Sequence, residues 1–106
     1  MDNIQIHIDG TDLSSRKTAA VVRQKILLAV SEGKTISIDL SDVHSISESY
    51  ADEAFGVIVA SQGLNWLVKN VQFQSEKDAV IKSIASAINR RLKNLNLKVS
   101  EAIALA

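Results

Sequence analysis

The chain contains 106 residues, 46% of them hydrophobic, and its 12 basic residues balance its 12 acidic residues. This length and composition fit a single domain over residues 1–106, and the zero net charge gives no general attraction to nucleic acid or to an anionic membrane surface. Because cysteine is absent, disulfides, thiolate nucleophiles and thiolate-bound metals are excluded. No apolar run approaches the roughly 20 residues that cross a bilayer, and the N-terminus lacks the features of a signal peptide, so we expect a cytoplasmic protein.

Residues 4–8 predict a strand, because isoleucines alternate there with polar residues. A first helix follows from Ser14 or Ser15 to about Gly33. Its inner stripe consists of Ala19, Val22, Ile26 and Val30. Arg16 lies in the first turn of this helix, where the positive end of the helix dipole disfavours a cation. Its position therefore suggests a specific role.

Residues 35–40 predict a second strand, rich in β-branched residues, that we expect to be central and covered on both faces. A polar turn follows, and a helical pattern begins at Tyr50, with Ser49 as its expected cap. Asp52 and Glu53 place negative charge in the first turn, where the helix dipole stabilises it. The inner stripe of this helix consists of Ala51, Ala54, Phe55 and Ile58.

The opposite side of this helix is also apolar, and the pattern continues toward Trp66 or Lys69. This outer face consists of Gly56, Val57, Ala60, Leu64 and Leu67. A helix that is apolar nearly all round is either buried or used as a contact surface. One interpretation is therefore that neighbouring helices or the tail cover the outer face. The other is that it docks a partner or forms a homodimer, with Gly56 and Ala60 allowing close approach.

The last third of the chain predicts a short strand over residues 71–74 and a helix that is capped near Ser75 and ends near Asn94. Its basic end, formed by Arg90, Arg91 and Lys93, is explained by the helix dipole and by solubility, since no interleaved aromatic residues indicate nucleic-acid binding. Residues 95–99 alternate and suggest a last strand before a short helix, 102–106. The expected architecture is an α/β domain with about four strands in a mixed sheet, three main helices and a short C-terminal helix.

Helices that follow the strands of such a sheet tend to start at its carboxyl edge, where ligands and partners are usually met. Arg16 and the first turn of the second helix would then be neighbours. We expect Arg16 to pair with Asp52 and so to fix the two helix starts relative to each other, with Glu53 directed outward.

Three features of the sequence occur together: Ser15-Arg16 with Ala19, the strand and turn over residues 36–43, and the helix-opening sequence Tyr50-Ala51-Asp52-Glu53. In these features the chain resembles a largely uncharacterised family of small bacterial proteins with a STAS-like domain, the fold shared by sulphate transporter tails and anti-sigma factor antagonists. The resemblance extends from about Ser15 to Gly56. The remainder of the chain agrees only in the order of its elements.

The resemblance implies a non-catalytic regulatory module, without a cofactor, that docks a protein partner such as an ATP-binding kinase-like protein. In anti-sigma factor antagonists a serine at the start of this helix is phosphorylated, and Ser49, or less readily Ser47, occupies that position here. We therefore expect a partner-binding surface formed by Glu48, Ser49, Glu53, Gly56, Val57 and Ala60. The acidic residues around Ser49 oppose a phosphate there.

A small-molecule or nucleotide site at the sheet edge, or an acid-base or metal enzyme, is the alternative. Such a site would use His44, Glu48 and Asp52, with Glu53 as a further carboxylate. Neighbouring carboxylates diverge on a helix, and neither a glycine-rich phosphate loop nor a histidine pair accompanies them. The alternatives predict different surfaces: a concave pocket for a binder or enzyme, and a protruding surface for an interaction module.

Overall fold

The computed structural model describes the backbone of residues 2–105 and the side chains of residues 2–94. Its main sheet contains three parallel strands, β1 (Asn3–His7), β3 (Thr35–Asp39) and β5 (Val71–Gln74), in the order β1-β3-β5. Two short strands, β2 (Asp12–Leu13) and β4 (Ser45–Ile46), form a separate parallel pair. The α/β class is confirmed, but the expected four-stranded mixed sheet is wrong. The sequence pattern could not reveal β2 and β4, because two-residue strands are too short to show alternation.

Within residues 2–105, four helices accompany the strands. Helix α1 is Arg16–Ser31, and α2, over residues 48–62, consists of α-helical Glu48–Ala51, a π-helical turn at Asp52–Gly56, and α-helical Val57–Gln62. Helix α3 is Leu64–Asn70, and α4 is Asp78–Leu105. The predicted strand over residues 95–99 and the separate C-terminal helix are therefore wrong, because α4 continues through both. The strand prediction rested on an alternation of only three apolar residues, which is too short a pattern to distinguish a strand from the continuation of a helix.

The two faces of the main sheet differ in polarity. Because side chains alternate along a strand, the register places six apolar residues on one face: Ile4, Ile6, Ile36, Ile38, Val71 and Phe73. These residues pack into the core. There the rings of Phe73 and of Phe55 in α2 are arranged edge to face, with 4.9 Å between their centroids. The other face carries polar residues, and Asn3, Gln5, His7, Gln72 and Gln74 are exposed. The expectation that the second strand is central is confirmed by the order β1-β3-β5. On the polar face of β3, Ser37 is buried and Thr35 and Asp39 are half-buried, so β3 is largely covered although the strands beside it expose polar side chains.

Helix α1 forms as the sequence predicts. The Ser15 hydroxyl caps it by accepting a hydrogen bond from the Thr18 amide at 3.3 Å. The buried side of α1 contains Ala19, Val22, Ile26 and Ala29, and Val30 packs against the edge of the core. Gly33, just beyond the helix, has φ +81°, a conformation that favours glycine.

Helix α2 departs from its predicted bounds at both ends. Ser47, not Ser49, is its cap, because the Ser47 hydroxyl accepts a hydrogen bond from the Tyr50 amide at 3.0 Å. The helix does not run on to Trp66 or Lys69, because Gly63, at φ +93° and ψ 159°, separates α2 from α3. That backbone conformation is open almost only to glycine. Helical periodicity continues across Gly63 in the sequence, which is why the break was missed.

Within the described residues, no helix combines the length and the apolar character that crossing a membrane requires.

Candidate functional site

The first turns of α2 lie between α1 and the middle of α4, and a polar cleft of about 280 Å³ opens there. We call it the α2 cleft. It is lined by Arg16, Glu48, Ser49, Asp52, Arg90, Arg91 and Asn94. The expected protruding surface at the start of α2 is therefore wrong, because this region is concave. Glu48 and Asp52 line the cleft, as the binding-site alternative expected, but His44 is not among its lining residues.

Within the α2 cleft, Arg91 forms a close ion pair with Asp52. The Arg91 guanidinium donates from Nε to Asp52 Oδ1 at 2.7 Å and from Nη2 to Oδ2 at 2.8 Å, a bidentate pair. Hydrogen bonding by Arg91 lowers the pKa of Asp52 below its usual value, and the same contact raises the pKa of Arg91. Asp52 therefore stays ionised at neutral pH, which makes it a weak base.

Glu53 connects α2 to α1. Its carboxylate lies 3.3 Å from Nη1 of Arg16 and 3.4 Å from Nη1 of Arg23, and Arg23 also donates to the Glu53 carbonyl oxygen. Arg16 lies 3.9 Å from Asp52, within ion-pair distance but farther than from Glu53. The two helix starts are thus bridged by charge. The expectation that Glu53 is directed outward is wrong, because Glu53 itself forms most of the bridge.

Glu48 and Ser49 form the exposed rim of the cleft. Glu48 pairs with Arg90 of α4 at 3.0 Å, and both side chains are largely exposed, so the contact is readily exchanged for another. Ser49 lies one residue further along α2. It is free of the capping role that the sequence suggested, since Ser47 performs it.

The predicted outer face of α2 divides into covered and exposed parts. Gly56 is buried, Val57 is half-buried and Leu67 is buried, whereas Ala60 and Leu64 are exposed. A Cβ atom added at Gly56 would lie 2.5 Å from Asp52 Oδ1 and 3.2 Å from Arg91 Cγ. Gly56 therefore makes room for the Asp52–Arg91 pair and is not available as a partner-binding residue. A continuous apolar docking face on α2 is a wrong prediction.

Four residues of this site were not expected from the sequence: Arg23, Arg90, Arg91 and Asn94. The basic cluster at residues 90–93 was the available signal, but it was explained by the dipole of its own helix. In the folded chain these arginines pair with the acidic residues that open α2.

A second charged cluster lies at the carboxyl end of β1 and β3. His7 Nδ1 lies 2.9 Å from Asp39, and His7 Nε2 lies 3.1 Å from Asp42 and 3.6 Å from Asp9. The hydrogen bond with Asp39 raises the pKa of His7, and it also lowers the pKa of Asp39. Among the described side chains, no three histidine, aspartate or glutamate residues are arranged to hold a metal ion.

One family model matches the chain over residues 18–80, and it is described as a STAS-like domain of unknown function (DUF4325). This range contains α1 from its first turn, the whole of α2 and the first turn of α4. Searches of curated proteins and of solved structures returned no match.

Proposed function

The chain belongs to the family of STAS-like domains of unknown function, and from this premise we propose that it is a non-catalytic regulatory module that docks a protein partner at the α2 cleft. The observation that carries the proposal is the contrast within the cleft. Asp52 and Glu53 are fixed by arginines from α4 and α1, while Glu48 and Ser49 beside them remain exposed.

A binding surface works best when its exposed residues are held in place by fixed neighbours, and Asp52 and Glu53 hold Glu48 and Ser49 in this way. Because α2 is tied to both neighbouring helices, its first turn loses little conformational freedom when a partner binds. The rim pair Glu48–Arg90 offers one charge of each sign, and a partner with complementary charges can replace this exposed contact at small cost. In this proposal the binding surface consists of Glu48 and Ser49 with Arg16 and Arg90 beside them, and Ala60 lies outside it.

The proposed partner is an ATP-binding kinase-like protein that phosphorylates Ser49. Two features of the cleft support this refinement. Ser49 lies in the first turn of a helix, where free amide groups favour an anion, and arginines from α1 and α4 line the same cleft. The acidic residues around Ser49 are each paired with an arginine, which offsets the repulsion expected from the sequence. A phosphate here would draw Arg90 away from Glu48 and so change the surface that the partner meets.

A small-molecule site in the same cleft is the second candidate, and its concave shape favours it. Most small-molecule pockets are larger, about 300 to 1,000 Å³, and mainly apolar. The α2 cleft is lined almost entirely by charged and polar side chains that already pair with one another. The low pKa of Asp52 also argues against a general base at this position. Protein docking therefore has more support than a small-molecule site or an enzyme.

Affinity capture with matched charge reversals tests the proposal. Glu48→Lys changes the rim, and Glu76→Lys is its control, because both side chains are exposed and Glu76 does not line the α2 cleft. An ATP-binding protein that the native chain and Glu76→Lys recover equally, and that Glu48→Lys loses, supports the proposal. Equal recovery by all three contradicts it. Incubation of the recovered protein with ATP, followed by mass spectrometry, then tests phosphate at Ser49 against a Ser49→Ala variant.

A further inference from the structure

Strand β1 lies at the edge of the main sheet, and within residues 2–105 no strand pairs with its other side. The Asp2 carbonyl and the Ile8 amide both bond to β3. Because successive residues of a strand direct their backbone groups to opposite sides, residues 2, 4, 6 and 8 bond toward β3. The amides and carbonyls of Asn3, Gln5 and His7 therefore point away from the sheet, along an exposed edge.

The geometry points to a second copy of this chain as the occupant of this edge, and we propose that two molecules pair β1 with β1 in antiparallel orientation about Gln5. In this register Gln5 faces the partner's Gln5, and Asn3 faces the partner's His7. These are the residues with outward backbone groups, so each pair exchanges two hydrogen bonds and the two strands form about six in total. The result is one continuous sheet of six strands.

The side chains of β1 are self-complementary in the same register. Ile4 faces the partner's Ile6 and Ile6 faces the partner's Ile4, at positions without interstrand hydrogen bonds, where side chains approach most closely. Both isoleucines are only half-buried in the single chain. No charged residue occurs from Asn3 to Ile6, so pairing brings no like charges into contact along this segment of the edge. A register shifted by one residue would place isoleucines opposite polar residues.

Helix α1 extends this apolar surface beyond the strand. A groove of about 250 Å³ runs beside β1, where Ile4 and Ile6 meet Leu28, and an apolar depression of about 310 Å³ continues along α1 past Val21. Leu28 is 62% exposed and Val21 is 50% exposed, unusual values for large apolar side chains. In the pair, α1 and its copy run antiparallel on the same side of the sheet, which brings Val21 toward the partner's Leu28.

Lys25 lies between these two apolar residues on α1 and lines both concavities. Lys25 is exposed in the single chain. In the pair, its aliphatic stem lies against the apolar surface while its ammonium group stays in water, as lysines at apolar rims commonly do. The two Lys25 ammonium groups then face each other across the symmetry axis, in solvent, which limits the affinity of the pair. The proposed interface does not include Glu48, Ser49 or Arg90, so it is independent of the proposed function.

Sedimentation analysis across a range of protein concentrations tests this pairing. The native chain, 11.5 kDa as a monomer, is expected to reach twice that mass as concentration rises. Gln5→Pro removes an outward amide without touching the bonds to β3, and proline is tolerated on an edge strand in this orientation. Gln5→Pro should raise the dissociation constant of the dimer about tenfold or more. Gln5→Thr keeps the amide and should dimerise with the same dissociation constant as the native chain.

A second pair of variants tests the helix part of the interface and does not depend on β1 accepting proline. Leu28→Glu should also abolish or strongly weaken the dimer, while Val68→Glu on α3, where the native side chain is 69% exposed, should leave it unchanged. Circular dichroism establishes that each variant is folded. A native chain that stays monomeric at high concentration overturns the proposal, and so does a dimer that withstands Leu28→Glu.

Discussion

Arg91 of α4 donates two parallel hydrogen bonds, of 2.7 and 2.8 Å, to the carboxylate of Asp52 in α2, although the two residues are 39 positions apart in the sequence. Gly56 lies directly beside this pair, in the π-helical turn. Such turns are rare and often occur at functional sites. The contact joins the last helix of the fold to the helix that opens the cleft, and it depends on one residue type at each of three positions.

Replacing Arg91 should destabilise the protein more than replacing its neighbour Arg90. Arg91→Ala leaves the partly buried Asp52 carboxylate without its bidentate donor, and we expect a loss of about 1 to 2 kcal/mol in the free energy of unfolding. Arg91→Lys keeps the charge but not the two-pronged geometry, so it should recover only part of that loss. Arg90→Ala removes an exposed pair and should cost less than about 0.5 kcal/mol.

Urea denaturation of the three variants measures these differences. Equal losses for Arg91→Ala and Arg90→Ala would show that the Asp52–Arg91 pair has no special structural role.

Replacing Gly56 with alanine should destabilise the protein, although alanine usually stabilises a helix relative to glycine. Alanine is the better helix former by about 1 kcal/mol, but here its Cβ would meet the Asp52 carboxylate at 2.5 Å. We expect Gly56→Ala to lower the free energy of unfolding by about 1 to 3 kcal/mol, as other overpacking changes do.

A double-mutant cycle with Arg91→Ala separates this cause from a general effect of the backbone. Once Arg91 is shortened, Asp52 can move away from the added methyl group, so Gly56→Ala should cost clearly less in that background. A cost that is the same in both backgrounds would mean that the methyl group acts on something other than the ion pair.

The pH dependence of stability should reveal the contact between His7 and Asp39. The raised pKa of His7 means that its contribution is fully present below the unfolded value near 6.5 and is lost as pH rises through the folded value. The lowered pKa of Asp39 means that its contribution is present above the unfolded value near 4 and is lost as pH falls further. The pair therefore stabilises the fold most between about pH 4 and 6.5.

Thermal melts of the native chain and His7→Gln over a range of pH check this expectation. The native chain should melt at a higher temperature than His7→Gln, and this difference in melting temperature should be largest near pH 5.5 and smallest above pH 8. A difference that is equally large at both values would exclude protonated His7 as its source.

The sequence predicted the parts of this fold that follow from local periodicity and capping. The β1, β3 and β5 strands, α1 and the proximity of Arg16 to the start of α2 could be inferred, because repeated apolar spacing and strand-helix order determine them. The contact of Arg91 with Asp52 could not be inferred, since it depends on where α4 crosses α2, which no local pattern records. Gly63 is similar: its neighbours on both sides are helical in pattern, and only its own backbone angles reveal the break.

The start of α2 illustrates a different limit. Ser45, Ser47 and Ser49 are chemically equivalent as caps, and the choice of Ser47 follows from β4, which holds Ser45 and Ile46 against β2. A two-residue strand leaves too weak a signal to be read from the sequence. The consequence is functional, because a shift of the cap by two residues converts Ser49 from a structural residue into an exposed one at the rim of the cleft.

Chemical-shift mapping on the isotopically labelled chain, titrated with the ATP-binding protein that it captures, tests the central claim most directly. We predict that the amide signals of Glu48, Ser49, Arg16 and Arg90 change first and most, while those of Ala60 and the exposed residues of α3 stay in place. Changes confined to Ala60 and α3, with the rim of the α2 cleft unaffected, would contradict the account.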